Sequence, residues 1–172
     1  TIAVHNGADD NASGVAGILE IMEKLTANRE NLKRSVLFIA FGAEEMGTLG
    51  SKYFISNPLI DLKQIKLMVN FDMIGMLDSE SKALTVMGTG TSVEIPGIIK
   101  QYAENYDLAI SESPEGFGPS DHAPFYAENI PVTMFFTGAH DYYHTPEDDV
   151  ERINFKGEKL IAEFVYDIIY NV

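Results

Sequence analysis

The chain alternates short, unbroken apolar runs with stretches whose apolar residues recur at helical spacing. Val15, Ile18, Leu19, Met22 and Leu25 follow the helical period, so residues 12–27 read as a helix behind a polar opening loop. Ser35–Phe41, SVLFIAF, is a compact run with β-branched residues, the pattern of a buried strand. GAEEMGTLGS follows, and a helix is expected to begin near Gly47. Ile65–Phe71, IKLMVNF, reads as a second buried strand that ends at Asp72, and Ala83–Met87 as a third.

A helix around Val93–Tyr106 tolerates Pro96 in its first turn, where no intrahelical hydrogen bond is lost. Leu108–Glu112 fits a short strand, Glu115–Ser120 (EGFGPS) a Gly/Pro-rich loop, and Ile130–Phe136 (IPVTMFF) a fourth strong strand. A last stripe of Leu160, Ile161, Phe164, Val165 and Ile168 marks a closing helix. Strands alternating with helices predict an α/β three-layer sandwich, a mostly parallel mixed sheet flanked by helices. No repeat, low-complexity tract or internal linker interrupts it, so residues 1–172 are expected to form a single domain.

Composition narrows the function. A length of 172 residues suffices for one sizeable core, and 45% apolar with 22% charged residues is ordinary for a globular protein. No apolar run approaches the length of a membrane span, and no signal-peptide pattern is present. The sequence opens on Thr1 instead of Met, as a processed or excised chain would. The absence of cysteine excludes disulfides and thiolate chemistry without fixing the compartment. With 26 acidic against 12 basic residues the net charge is −14, which opposes binding to nucleic acid and suits metal cations or cationic ligands. Most of these acids need do no more than keep the surface solvated.

In open α/β sheets, ligands bind beyond the carboxyl ends of the strands, and the conspicuous polar residues lie there. Glu44 and Glu45 follow SVLFIAF, Asp72 ends IKLMVNF, and TGAHDYYHTPEDD follows IPVTMFF. Asp9 and Asp10, in GADDNASG, precede the first helix. This placement brings Asp10, Glu44, Glu45, Asp72 and His144 to one edge. Oxygen and imidazole donors together suit zinc, with manganese or cobalt as alternatives. Carboxylates crowded at one edge repel one another, and a divalent cation relieves them.

Singly, each residue has a plainer account: a helix cap, a solvated glutamate pair, a turn aspartate, a hydrogen-bonded structural histidine. Their shared position favours the metal. One of the adjacent Glu44 and Glu45 can bind the ion while the other accepts a proton from water that the metal acidifies. Ser120, Asp121 and His122 are consecutive, which does not converge into a triad, and no G-x-S-x-G elbow is present. The glycines at Gly88–Gly90 lack the dinucleotide pattern, and there is no P-loop.

GADDNASG, FGAEEMGTLGS, NFDMIG, SDHAPF and YHTPEDD, in this order from Asn6 to about Phe155, together resemble the co-catalytic zinc aminopeptidases of metallopeptidase family 28. Relatives there include aminopeptidase Y, bacterial leucyl aminopeptidases and glutamate carboxypeptidase. The resemblance implies a zinc-dependent exopeptidase acting on peptides with a free N-terminus. It makes Asp10 the carboxylate that bridges two zinc ions, Glu45 and His144 ligands of one ion, and Asp72 a ligand of the other. Glu44 takes the place of the general base and Tyr143 that of an oxyanion-stabilising hydroxyl. Asp121 and His122 fit orienting roles, and for Asp9 orientation and helix capping stay equally open.

The family's remaining zinc ligand is a histidine in an H-x-D motif upstream of the ADDN loop, and it has no counterpart in this sequence. His5 is nearby but lacks that motif. Two zinc ions are therefore expected in a complete domain, and one or none in this chain, which is expected to be incomplete at its N-terminus and poorly active. Phe117 or Phe136 would meet an apolar first side chain, unless both belong to the core. A glutaminyl-cyclase-like single-zinc acyltransferase and a non-catalytic receptor-type domain are the alternative readings. Exposed strand edges favour homo-oligomers. An extracytoplasmic setting, secreted or periplasmic, is expected.

Overall fold

A computed structural model describes residues 3–171. The regular elements follow one another as α1 (Gly14–Ala27), α2 (Leu49–Ser56), β1 (Met68–Phe71), β2 (Ala83–Met87), α3 (Ile95–Ala103), β3 (Ala109–Ser113), α4 (His122–Ala127), β4 (Val132–Phe136) and α5 (Phe155–Asn171). The strands form one mixed sheet in the order β1-β4-β2-β3. β1 pairs in parallel with β4, Met68 opposite Val132 and Phe71 opposite Phe135. β2 pairs in parallel with β3 and antiparallel with β4, Thr85 facing Phe136. Because β1 and β4 run the same way, the residues that follow them, Asp72 and Thr137, leave the sheet at the same edge.

Side chains alternate across β4, and the two faces are covered by different helices. Phe135, fully buried, points into a core shared with α1, α3 and α5. Its ring stands edge-on to Phe71 of β1 at 5.9 Å and to Phe164 of α5 at 6.1 Å. Val132 points the other way, to Phe54 of α2 and Phe125 of α4. Helices on both faces of a mixed sheet match the predicted sandwich.

The sequence reading needs three corrections. Ser35–Phe41 forms no strand, and among the described residues it has no ladder partner. A cavity of about 500 Å³ separates it from Ile65–Val69, so its apolar, β-branched pattern has no backbone neighbour to pair with. The helix of residues 14–27 is present, but its buried face is Gly14, Gly17, Ile21 and Leu25, while Val15, Leu19 and Met22 are exposed. Gly17 sets that face: a Cβ there would lie 2.8 Å from Ile74 and 3.0 Å from Phe71, so only glycine lets α1 come this close to the sheet. Finally, α4 went unread because its HAPFYA sequence is short and holds a proline.

Phe135 joins β4 to helices and sheet together, so Phe135→Ala should cost about 3–5 kcal/mol of unfolding free energy. Urea denaturation of the variant against the parent measures it, and a loss well under 1 kcal/mol would contradict the central place given to this ring.

Candidate metal centre

The ADDN segment enters the site through a loop whose shape its glycines permit. Gly7 has φ +59°, and a Cβ there would lie 2.4 Å from the carbonyl oxygen of Asp10. At the other end, a Cβ on Gly14 would meet Asn11 Oδ1 at 2.4 Å and the Phe71 carbonyl at 2.7 Å. Asn11 ties loop, helix and sheet together. Its Oδ1 accepts from the amides of Gly14 (3.1 Å) and Met73 (3.2 Å), and its Nδ2 donates to the Phe71 carbonyl (2.8 Å). The Asp10–Asn11 peptide bond is cis.

Glu44 and Glu45 sit on a loop closed by its own backbone. The amides of Gly47 and Thr48 donate to the Glu44 carbonyl at 2.9 and 2.7 Å, and the amide of Gly50 to the Gly42 carbonyl at 3.1 Å. Phe41, just ahead of it, packs against Phe54 (6.0 Å) and Phe125 (5.9 Å), fixing the loop to the α2–α4 face. Ala43, Met73 and His144 all adopt positive φ values of 57–58° without being glycine. The backbone is thus strained beside Glu44, beside Asp72 and at His144 itself, as functional sites often are.

These loops converge. His144 Nε2 lies 3.1 Å from Asp10 Oδ2 and 3.0 Å from Glu45 Oε1, a residue 99 positions away in sequence. One donor atom from each of Asp10, Glu45 and His144 lies within 4.8 Å of the others, close enough to hold one ion. The donor set, two carboxylates and an imidazole, fits zinc. Asp72 stands outside that group but lines the same cavity as Asp10, Glu44, Glu45 and Ser120. Tyr143, 42% exposed, stacks on the His144 ring at 3.8 Å. His5, Asp10, Glu45, His144 and Asp148 line a further cavity of about 340 Å³.

Crowding and burial act on the protons. Glu44 is pushed up to about 7, by burial first and then by the charges of Asp72, Glu45 and Asp121. Asp10 is pushed up to about 6 by burial and by Glu45 and Asp72, with His144 opposing. Burial likewise raises Asp72, with Ser120 opposing. Tyr143 is raised by burial and the surrounding acids, so its hydroxyl keeps its proton.

Around these groups lies a hydrogen-bonded shell. Asp9 is fully buried and accepts from the Gly75 amide (2.6 Å) and the Ser13 hydroxyl (3.0 Å), facing His140 Nε2 at 3.1 Å. It does not cap α1; Asn11 accepts the first helical amide instead. Asp121 accepts from Ser51 Oγ at 2.5 Å. His122 is buried, neither ring nitrogen has a hydrogen-bond partner among the described residues, and burial lowers its pKa to about 4, so it stays neutral. Sequence reasoning passed over Asp148, Asn11 and His140. Asp148 lies in a run of acids, PEDD, in which nothing in the sequence marks one member as buried. Phe117 lines a cavity of about 600 Å³ beside Glu44, Glu45 and Tyr143, whereas Phe136 sits half-buried in β4.

Residues 1–169 match the pattern of peptidase family M28. The chain belongs to that family. It is 36% identical over 151 residues to the probable leucine aminopeptidase 2 of Arthroderma benhamiae, covering 82% of this chain and 29% of that protein. To aminopeptidase YwaD of Bacillus subtilis it is 31% identical over 172 residues, covering 95% of this chain and 37% of the relative. The crystal structure of BSAP, a zinc aminopeptidase from Bacillus subtilis, superposes with a TM-score of 0.80 at 29% identity, over 99% of this chain and 43% of that one. The chain thus spans about a third of the length of these curated relatives.

A carboxyl group whose pKa rises on folding holds its proton more tightly in the folded state. Folded stability is then lost as pH climbs through the window, from 3.8 to about 6 for Asp10 and from 4.5 to about 7 for Glu44. Calorimetry of the metal-free protein should show Tm falling between about pH 4 and about pH 7, and added zinc should flatten that slope. A Tm that rises across the window would contradict the crowding of these acids.

Proposed function

We propose that the protein carrying this chain is a zinc-dependent aminopeptidase that hydrolyses the first peptide bond of peptides with a free N-terminus. The supporting observation is the meeting of Asp10, Glu45 and His144 at one point, with a second glutamate beside them that titrates near neutrality. Residues 1–172 are read as part of one catalytic domain.

Asp10, Glu45 and His144 hold the ion. Zinc, when bound, supplies Lewis acidity toward the scissile carbonyl and brings the pKa of water toward neutral. Glu44 takes a proton from the attacking water and passes it to the leaving amine, a task that suits a carboxyl group pushed up to about 7. The Tyr143 hydroxyl donates a hydrogen bond to the carbonyl oxygen as negative charge grows on it. Asp72, on the wall of the same cavity, is read as a ligand of a second ion, which needs donors beyond the three that converge here. The remaining acids attract the substrate's ammonium group. The cavity bordered by Phe117, Pro119 and Tyr143 receives its first side chain. Among the described residues no helix is long and apolar enough to cross a membrane. The setting proposed for the whole protein is extracytoplasmic.

A second reading, a glutaminyl-cyclase-like acyl transfer, draws on one observation. Among the described residues only Asp10, Glu45 and His144 meet as a single group, and together they make a one-ion donor set. A receptor-type domain without catalysis is the weaker account, because the three converging donors, Asp72 and the neighbouring Glu44 are present.

Aminoacyl-nitroanilides distinguish the three. The intact protein should release nitroaniline, chelator should stop it, and zinc should restore it. Glu44→Gln should lower kcat by about 10²–10⁴-fold while zinc binding persists. Cyclisation of N-terminal glutamine without nitroanilide release would favour the second reading, and no chelator-sensitive turnover of either kind would leave the receptor-type account.

A further inference from the structure

We infer that Asp148 is the positioning residue of the proposed metal centre, locking the Asp10 loop to the loop that carries His144. The inference rests on the zinc reading above. Its two carboxylate oxygens accept from consecutive backbone amides: Oδ1 from Asp9 at 2.9 Å and Oδ2 from Asp10 at 3.0 Å. The amide of Ala8 donates to the Asp148 carbonyl oxygen at 3.1 Å. One residue, 2% exposed and just after His144 in the chain, therefore holds three successive amides of the ADDN segment. The Asp9–His140 pair adds a parallel tie between the same two loops.

Charge alone opposes an acid at this position. Asp9 and Asp10 are carboxylates already, and the charge of Asp148 is one of the influences that raise Asp9. What aspartate supplies is two acceptors at one fixed spacing, matched to two neighbouring N–H groups that no other side chain satisfies. Asparagine has nearly the same shape, yet it offers one acceptor and turns an NH₂ group toward the second amide. Asp10 Oδ2 and His144 Nε2 sit 3.1 Å apart on segments far separated in sequence, so a small slip between the two loops would spoil the donor set. Both carboxylate oxygens of Asp148 are engaged by backbone amides, so it is not counted among the ligands. It acts by fixing where two ligands stand.

The test compares Asp148→Asn with the parent in the intact protein, stripped of metal and titrated with zinc by calorimetry well below the unfolding temperature. Zinc affinity should fall about 10–100-fold, and the visible spectrum of the cobalt-substituted protein should change with it. Glu147→Ala, next door in the chain and exposed, should leave both unchanged. Should Asp148→Asn not fold, Asp148→Glu keeps both acceptors but shifts them by one methylene, and a smaller loss of zinc affinity is expected. Unchanged affinity and spectrum, with only a lower Tm, would make Asp148 a purely structural residue and overturn the inference. A parent protein that takes up no zinc would overturn the metal reading and this role with it.

Discussion

Mutual repulsion among the carboxylates of Asp10, Glu44, Glu45 and Asp72 is the force against which this corner of the molecule is built. It adds to burial in the protons: Asp10 and Glu44 are pushed above the usual carboxylate range first by burial and then because each sits in the field of the others. Left to themselves, four acids on three loops would swing apart into water. Beyond their own contacts with His144, they are held by side chains of neighbouring residues. Asn11 fastens the first loop to β1, Phe41 fastens the glutamate loop to the α2–α4 face, and Asp148 fastens the histidine loop to the first. The charges are thus frustrated by construction, and a divalent cation is the species that would relieve them.

That construction depends on a topological fact. β1 and β4 are parallel neighbours, so the turn after each opens at the same edge of the sheet. Antiparallel neighbours would have sent Asp72 and the histidine loop to opposite ends of the domain. The third contributor, the ADDN loop, reaches that edge because Gly14 and Gly17 let α1 lie close against β1 and the turn that follows it. Small residues at the helix therefore decide where a carboxylate stands several ångströms away. The positive φ at Ala43, Met73 and His144 fits the same picture: the local backbone is bent away from its preference to aim three neighbouring side chains inward.

Much of this could be read in the sequence, for identifiable reasons. β2, β4 and α5 announce themselves by period and composition, and their burial depends on nothing beyond those patterns. Asp10 and His144 were legible because they lie on the segments before α1 and after β4, whereas Glu45 was placed beside them by a run that forms no strand. The failures have physical causes too. SVLFIAF has the composition of a strand, but a strand is defined by its partner, and composition does not say whether one is at hand. On α1 the apolar residues were counted while the glycines were ignored. Close approach to the sheet, not hydrophobicity, chose the buried face. Asp148 escaped notice because its importance lies in the two amides it faces, and those belong to residues 138 and 139 positions away.

The adjacency of Glu44 and Glu45 then gains a physical meaning. Neighbours on one loop share every displacement of that loop, yet they stand in different surroundings. Glu45 is 56% exposed and bonds directly to His144. Glu44 is half-buried, faces Asp72 and Asp121, and has its carboxyl group pushed up to about 7. A ligand needs an ionised carboxylate pointed at the other donors, and a proton carrier needs a pKa near the working pH. In the proposed roles one backbone segment serves both needs, bent at Ala43 and closed by the turn at Gly47 and Thr48. In the roles proposed for them, separate loops would let ligand and base drift relative to one another, whereas one loop ties their positions together.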